Sequence, residues 1–166
     1  MNNVCIGLFG TCGSSTWRKD FITVYEPKGI NFYNPQVVEW KPEDAAIEAE
    51  HLVNDDIVLF PVTAETYGTG SLAETGFSIM RAVRSAENRF VVVFVDPKVD
   101  EVLVGENPAT AKESMRSRAL VLAHLKKVNH PNVFLVNSLA DMLELSVKLY
   151  GVAEAMKSIR TTYHKG

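Results

Sequence analysis

Apolar and polar positions along the chain follow two periodicities that take turns. Short apolar runs stand at Val4-Cys5-Ile6-Gly7-Leu8-Phe9, Ile30-Asn31-Phe32-Tyr33-Asn34-Pro35, Asp56-Ile57-Val58-Leu59-Phe60, Phe90-Val91-Val92-Val93-Phe94-Val95 and Asn132-Val133-Phe134-Leu135-Val136. Between them apolar residues recur at helical spacing: from Trp17 to about Tyr25, from Pro42 to near Asn54, from Leu72 to about Glu87, from Ala109 to Val128, and onward from Leu139. The short runs are bounded by glycine, proline and asparagine and read as strands, whereas the periodic stretches are long enough for helices. The run from Phe90 to Val95 is apolar at every position, as a strand covered on both faces requires.

Local punctuation supports this division. Thr16 is expected to cap the first helix, and Pro42, followed by Glu43 and Asp44, to start the second. Ser138-x-x-Asp141 is expected to cap the last. Pro35 should stop the second strand, because proline offers no ladder donor. Residues 99–108 carry the least pattern, and residues 161–166 are expected to form a loose tail. Strands alternating with helices imply a parallel sheet with right-handed crossovers and helices on both faces. With five strands the expected fold is α/β and flavodoxin-like, in the order 2-1-3-4-5, with residues 1–160 as a single domain. That order places a topological switch point between strands one and three, so a ligand is expected at the loops 10–15 and 63–70.

The chain of 166 residues suits one core, and its formal charge of -3 with 46% hydrophobic residues provides no strongly basic face. Binding to nucleic acid through phosphate neutralisation is therefore not expected, and a small-molecule partner fits better. Cys5 and Cys12 lie too close to the start for a disulfide framework, and no leader-like segment or membrane-length apolar run is present. The expectation is a cytosolic protein with reduced thiols and no membrane association. His51, His124, His130 and His164 show neither H-x-x-x-H nor mixed Cys/His spacing, so neither a metal site nor a cofactor is expected.

Candidate chemistry concentrates at Gly68-Thr69-Gly70-Ser71-Leu72-Ala73-Glu74-Thr75-Gly76, directly after the third strand. A glycine-rich turn opening into a helix lets backbone approach a ligand and aims amides at negative charge. Glu74 is expected on the first helical turn. Ser71-x-x-Glu74 also reads as a capping box, so a structural and a chemical role for Glu74 both stand at this point. Glu48, with Ala45 and Leu52 as helical neighbours, falls at the edge of a buried stripe, either partnered there or reaching out to water. Glu43, Asp44 and Glu50 fall on the exposed face. Trp17 is placed either to offer a flat surface to a planar base or to pack the first helix on the sheet. Thr11, Ser14, Ser15, Thr69 and Ser71 offer hydroxyls for a sugar or phosphate.

Gly7-Leu8-Phe9-Gly10-Thr11, Trp17, Phe32-Tyr33-Asn34-Pro35, Asp56-Ile57-Val58-Leu59-Phe60 and Gly70-Ser71-Leu72-Ala73-Glu74-Thr75-Gly76 together resemble the nucleoside 2-deoxyribosyltransferase-like family. The likeness covers roughly the first half of the chain. It implies N-glycosidic chemistry on a (deoxy)nucleoside or nucleotide, with the sugar passed to another base or to water. By the same resemblance Glu74 matches the nucleophile, and Glu48 falls within one residue of the acid that contacts the base. Gly10, Thr11, Trp17, Asn34, Gly70 and Ser71 are assigned to the substrate cleft. Two departures stand out: the tyrosine expected near the end of strand one is absent from Gly7-Leu8-Phe9, and Gly68 replaces an aspartate or serine six residues before Glu74. The loop Gly68-Thr69-Gly70-Ser71-Leu72-Ala73-Glu74 is also similar to that of phosphoribohydrolases of the cytokinin-activating type, although their Gly-Gly-Gly stretch is missing. A non-catalytic nucleotide-binding module is the third reading. The resemblance further implies a homodimer or higher homo-oligomer, with Ser114, Arg116, Ser117 and Arg118 in the region of the neighbour contact.

Overall fold

The computed structural model describes residues 3–37, 39, 41–84 and 89–163. Strands β1 Ile6–Leu8, β2 Phe32–Tyr33, β3 Ile57–Val62, β4 Phe90–Val95 and β5 Val133–Leu135 form one sheet in the order β2-β1-β3-β4-β5. Every pairing is parallel. The helices are α1 Trp17–Tyr25, α2 Pro42–Asn54, α3 Thr69–Arg84, α4 Glu101–Glu106, α5 Pro108–Leu125 and α6 Leu139–Tyr163. This is the flavodoxin-like α/β arrangement that strand–helix alternation implies.

The period of two along β3 and β4 sorts the core into two layers. Ile57, Leu59, Phe90 and Val92 meet Trp17, Phe21 and Tyr25 of α1 and Met142, Leu149 and Tyr150 of α6. Val58, Phe60, Val62, Val91 and Val93 meet Leu72 and Ala82 of α3 and Leu125 of α5. Each such side chain contributes about 1.5–3 kcal/mol when fully buried, more than the roughly 1 kcal/mol net of one ladder hydrogen bond. Burial rather than hydrogen bonding therefore fixes the register, because a one-residue slip would exchange the two layers.

Several boundaries differ from the sequence expectation. β3 runs through Pro61 and ends at Val62. This is possible because β1 stops at the Leu8–Leu59 pair, so the missing proline N–H falls beyond its ladder, and Pro61 O instead accepts from Thr11 N at 2.8 Å. β2 is only two residues long, since Asn31 already turns its Nδ2 to Val4 O and its backbone N–H to the Tyr150 hydroxyl. α4 occupies the poorly patterned stretch; Val102 on it is 70% exposed, so it carries little apolar signal. α6 continues to Tyr163, so Thr161 to Tyr163 are helical rather than loose, while residues 164–166 lie outside the described residues. Residues 85–88, expected to end α3 and turn into β4, also lie outside them, as does Trp40 of the expected loop.

The caps divide likewise. Ser138 Oγ accepts from Asp141 N at 3.0 Å, as expected. Asp44 Oδ2 accepts from Lys41 N at 2.8 Å at the start of α2. Thr16 stands at the N-cap of α1 without a side-chain cap bond; only its backbone oxygen takes part, accepting from Lys19 N. Among the described residues no helix is long and apolar enough to cross a membrane.

Candidate active site

Two loops at the carboxyl ends of β1 and β3 shape a cleft of about 360 Å³. Each loop is held by a buried arginine whose partners are mainly backbone carbonyls. Arg18, 1% exposed, donates through Nε to Leu8 O at 2.9 Å, through Nη1 to Thr11 O at 2.6 Å and through Nη2 to Gly10 O and Cys12 Sγ. Arg118, fully buried, donates to Val62 O, Thr63 O, Thr66 O, Asp96 O and Ser114 Oγ, at distances of 2.6–3.2 Å. Burial lowers the pKa of both groups; Cys12 and then the charge of Glu48 oppose that shift at Arg18, and the charges of Asp96 and Asp100 oppose it at Arg118.

Glycine is required at two turns here. Gly10 has φ +90°, and a Cβ on it would stand 2.5 Å from Pro61 O. Gly68 has φ +65°, and a Cβ would come within 2.7 Å of Val62 Cγ1 and 3.3 Å of Arg118 Nη2. The departure from an aspartate or serine at position 68 thus has a conformational reason in this chain, because L residues rarely adopt that backbone.

α3 begins at Thr69, directly after Gly68, and Leu72 N donates to Gly68 O at 2.9 Å. Ser71 is consequently the third helical residue and Glu74 the sixth, so the capping-box reading is overturned. The expected place of Glu74 on the first turn is corrected to the start of the second. Freed from capping, Glu74 lines the cleft together with Glu48 from α2. Burial raises the pKa of Glu74 and the nearby charge of Glu48 raises it further. Burial also raises the pKa of Glu48, opposed by the Arg18 charge. The helix terminus does not dominate at Glu74, since the dipole effect fades within the first turn. A negative charge on Glu48 thus favours the protonated form of Glu74, and like charges in one cleft oppose ionisation of both acids at once.

Of the residues assigned from sequence, Gly10, Glu48, Gly70, Ser71 and Glu74 border this cleft. Thr11, Trp17 and Asn34 do not. Thr11 is buried, with its Oγ1 accepting from Thr63 N at 2.9 Å. Trp17 is 3% exposed in the α1–α6 layer, edge-on to Phe21, with its indole N–H donated to Thr11 O; no base can stack on it, and packing decides its role. Asn34 closes a turn by accepting from Gln36 N at 3.0 Å. Ser114 and Arg118, expected toward a neighbouring subunit, face inward: Ser114 Oγ donates to Tyr67 O, and only Arg116 and Ser117 of that group are exposed.

Sequence reasoning reached Cys12, Gly13 and Thr66, which border the cleft, only as members of the expected loops, gave Arg118 to a neighbour contact instead of the loop it holds, and missed Arg18. A signal for the arginines was present. Arg18 shares the stripe of Phe21 and Tyr25, and Arg118 that of Ala111, Ser114 and Leu125; a cation on a buried stripe implies a dedicated set of acceptors. A larger groove of about 690 Å³ between α3 and α5 has Glu113 as its one acid among the described lining residues and is bordered by none of the glycine turns. Comparison of the sequence with protein-family models and with curated proteins finds no match.

Proposed function

We propose that the cleft binds a nucleoside or nucleotide and that the protein breaks its N-glycosidic bond by a retaining mechanism, passing the sugar to another base or to water. The observation that carries this reading is the meeting of Glu48 and Glu74 in one cleft at the switch point of the sheet. Retaining glycosyl transfer needs two carboxyl groups in distinct protonation states around one sugar. In the reactive form a proton resides on Glu48, which donates it to the departing base. Glu74 then attacks the anomeric carbon as carboxylate, and water or an incoming base displaces it, returning the proton to Glu48. The positive charge that develops on the sugar favours the ionised Glu74 that burial opposes.

A second copy of the chain is part of this reading. Phe77, Met80 and Val83 form an apolar stripe on α3 beyond Glu74, with Phe77 61% and Met80 57% exposed, and a neighbouring subunit covering that stripe would wall the open cleft. The test is incubation of the protein with a panel of deoxynucleosides and nucleoside monophosphates, with and without an acceptor base. Base release or exchange that disappears in Glu74→Gln supports the reading. Binding without turnover across the whole panel would leave a nucleotide-binding module, and no binding would end it.

A further inference from the structure

At the amino ends of β1 and β3, on the opposite edge of the sheet from the cleft, three residues of metal-ligating type converge. Cys5 immediately precedes β1, His51 lies in the last turn of α2, and Asp55 follows α2 just before β3. One ligand atom from each, the thiol sulfur, an imidazole nitrogen and a carboxylate oxygen, lie within 4.8 Å of one another. The β1–β3 ladder brings them together, with Ile6 paired to Ile57 and Ile57 N donating to Cys5 O at 3.2 Å.

The cluster is built and incompletely satisfied. His51 Nδ1 and Asp55 Oδ1 are 2.9 Å apart, and the imidazole lies flat on the Tyr33 ring, 3.7 Å between centroids and 3° from parallel. Asp55 is only 4% exposed, and its buried Oδ2 finds no nitrogen or oxygen donor among the described residues, so beside His51 this carboxylate is met only by the weak thiol donor of Cys5. A buried carboxylate held by one imidazole and a weak thiol donor keeps acceptor capacity for a cation, and the thiol that meets it is itself a metal ligand once its proton leaves. Asp56 is already engaged, its Oδ2 accepting from Cys5 N at 3.0 Å and both its oxygens facing Lys157 Nζ at 3.2 Å. A cavity of about 570 Å³ borders all three candidate ligands, which provides an entry path and room for water.

We propose that Cys5, His51 and Asp55 bind one divalent transition-metal ion of the zinc type, with water as the fourth ligand. Thiolate, imidazole and carboxylate suit zinc, whereas magnesium and calcium take oxygen ligands. One thiolate and one carboxylate neutralise the dication. Zn–N and Zn–O bonds of about 2.0–2.2 Å place two tetrahedral ligand atoms roughly 3.3 Å apart, so the His51–Asp55 edge opens by only a few tenths of an ångström. On entry the thiol proton leaves to solvent and the imidazole proton moves to Nε2 when Nδ1 ligates. Without a cation, burial and the Asp55 charge push the Cys5 thiol well above its ordinary value, which argues against a nucleophilic role for Cys5. The metal would tie α2, which buries none of its residues fully, to the sheet; the same helix carries Glu48 one turn before His51. The site does not depend on the glycosidic reading of the opposite edge.

Titration of the chelator-treated full chain with Co²⁺ alone tests the assignment. One equivalent should produce a thiolate-to-cobalt charge-transfer band with tetrahedral visible bands, and Zn²⁺ should displace it. Cys5→Ser should abolish the charge-transfer band, and Asp55→Asn and His51→Gln should weaken Zn²⁺ binding by about one to two orders of magnitude. Cys12→Ser should bind as the unaltered protein does. Zn²⁺ should raise the melting temperature of the unaltered protein. Circular dichroism checks the fold of each variant, and the cobalt titration of the unaltered chain decides the matter if a variant does not fold. Absence of the band with cobalt in excess overturns the proposal, as does a band that survives Cys5→Ser and disappears in Cys12→Ser.

Discussion

The carboxyl and amino edges of the sheet both collect ionisable side chains, and they treat them in opposite ways. At the amino edge the acids have direct local partners: Asp55 the His51 imidazole, and Asp56 the Lys157 ammonium. At the carboxyl edge the two buried cations, Arg18 and Arg118, are engaged mainly with backbone carbonyls, and Glu48 and Glu74 make no salt bridge among the described residues. Arginine used in this way fixes the shape of a loop, while its charge reaches Glu48 from a distance and makes no ion pair with it. Acids without a direct ion pair in a cleft are what the proposed reaction requires, and the two edges can be compared on that ground.

The largest effect expected from this contrast is on turnover. Glu74→Gln should lower it about a thousandfold or more and leave the melting temperature nearly unchanged, because no cap is lost. Lys157→Ala at the other edge should leave turnover within a factor of about two. Equal losses from the two variants, measured with a substrate found in the panel, would erase the functional distinction between the edges. Next in size is Arg118→Ala, which strands the carbonyls of the β3–α3 loop and should cost about 3 kcal/mol or more in urea unfolding. A cost below about 1 kcal/mol would mean that the loop holds itself.

A finer comparison lies within that loop. Gly68→Ala, at positive φ and against Val62, should destabilise by about 1–2 kcal/mol, whereas Gly70→Ala, with open space around its Cβ, should be neutral or stabilise by about 0.5 kcal/mol. Similar values for the two would show that the turn is not confined to the left-handed region. The smallest effect is on the pH dependence of stability. The folded pKa values of Glu48 and Glu74 lie above the ordinary 4.5, so the unfolded chain ionises first as pH rises. Their contribution is complete below 4.5 and is lost as pH rises through the raised folded values. Melting temperatures of the double variant Glu48→Gln/Glu74→Gln should therefore fall less over that interval than those of the unaltered chain; parallel curves would place both acids in ordinary solvent.

The contrast between the edges also separates what was legible beforehand from what was not. The strand order and the core faces were legible because they depend on short periodicities: Ile57 and Leu59 go one way, and Val58 and Phe60 the other, whatever the rest of the chain does. Gly10, Gly70 and Glu74 were legible because a loop between a parallel strand and the next helix has one place to go, the carboxyl edge. Trp17 was not: its position beside the loop is local, but the choice between pocket and core is made by Phe21 and the α1–α6 layer.

Sequence by itself determined the layered sheet, the switch point and the candidate acid at Glu74, since each follows from residues within a few positions of one another. Only the tertiary structure decided that Ser71 and Glu74 are not a cap, because that depends on where Gly68 can turn beside Arg118, fifty residues further along the chain. The meeting of Glu48 with Glu74 was expected only through the family resemblance and not from any local spacing, and the structure alone placed Cys5 beside His51 and Asp55. Those meetings join segments that share no local spacing, and the parallel crossover, which brings distant ends to a common edge, is the physical reason they exist.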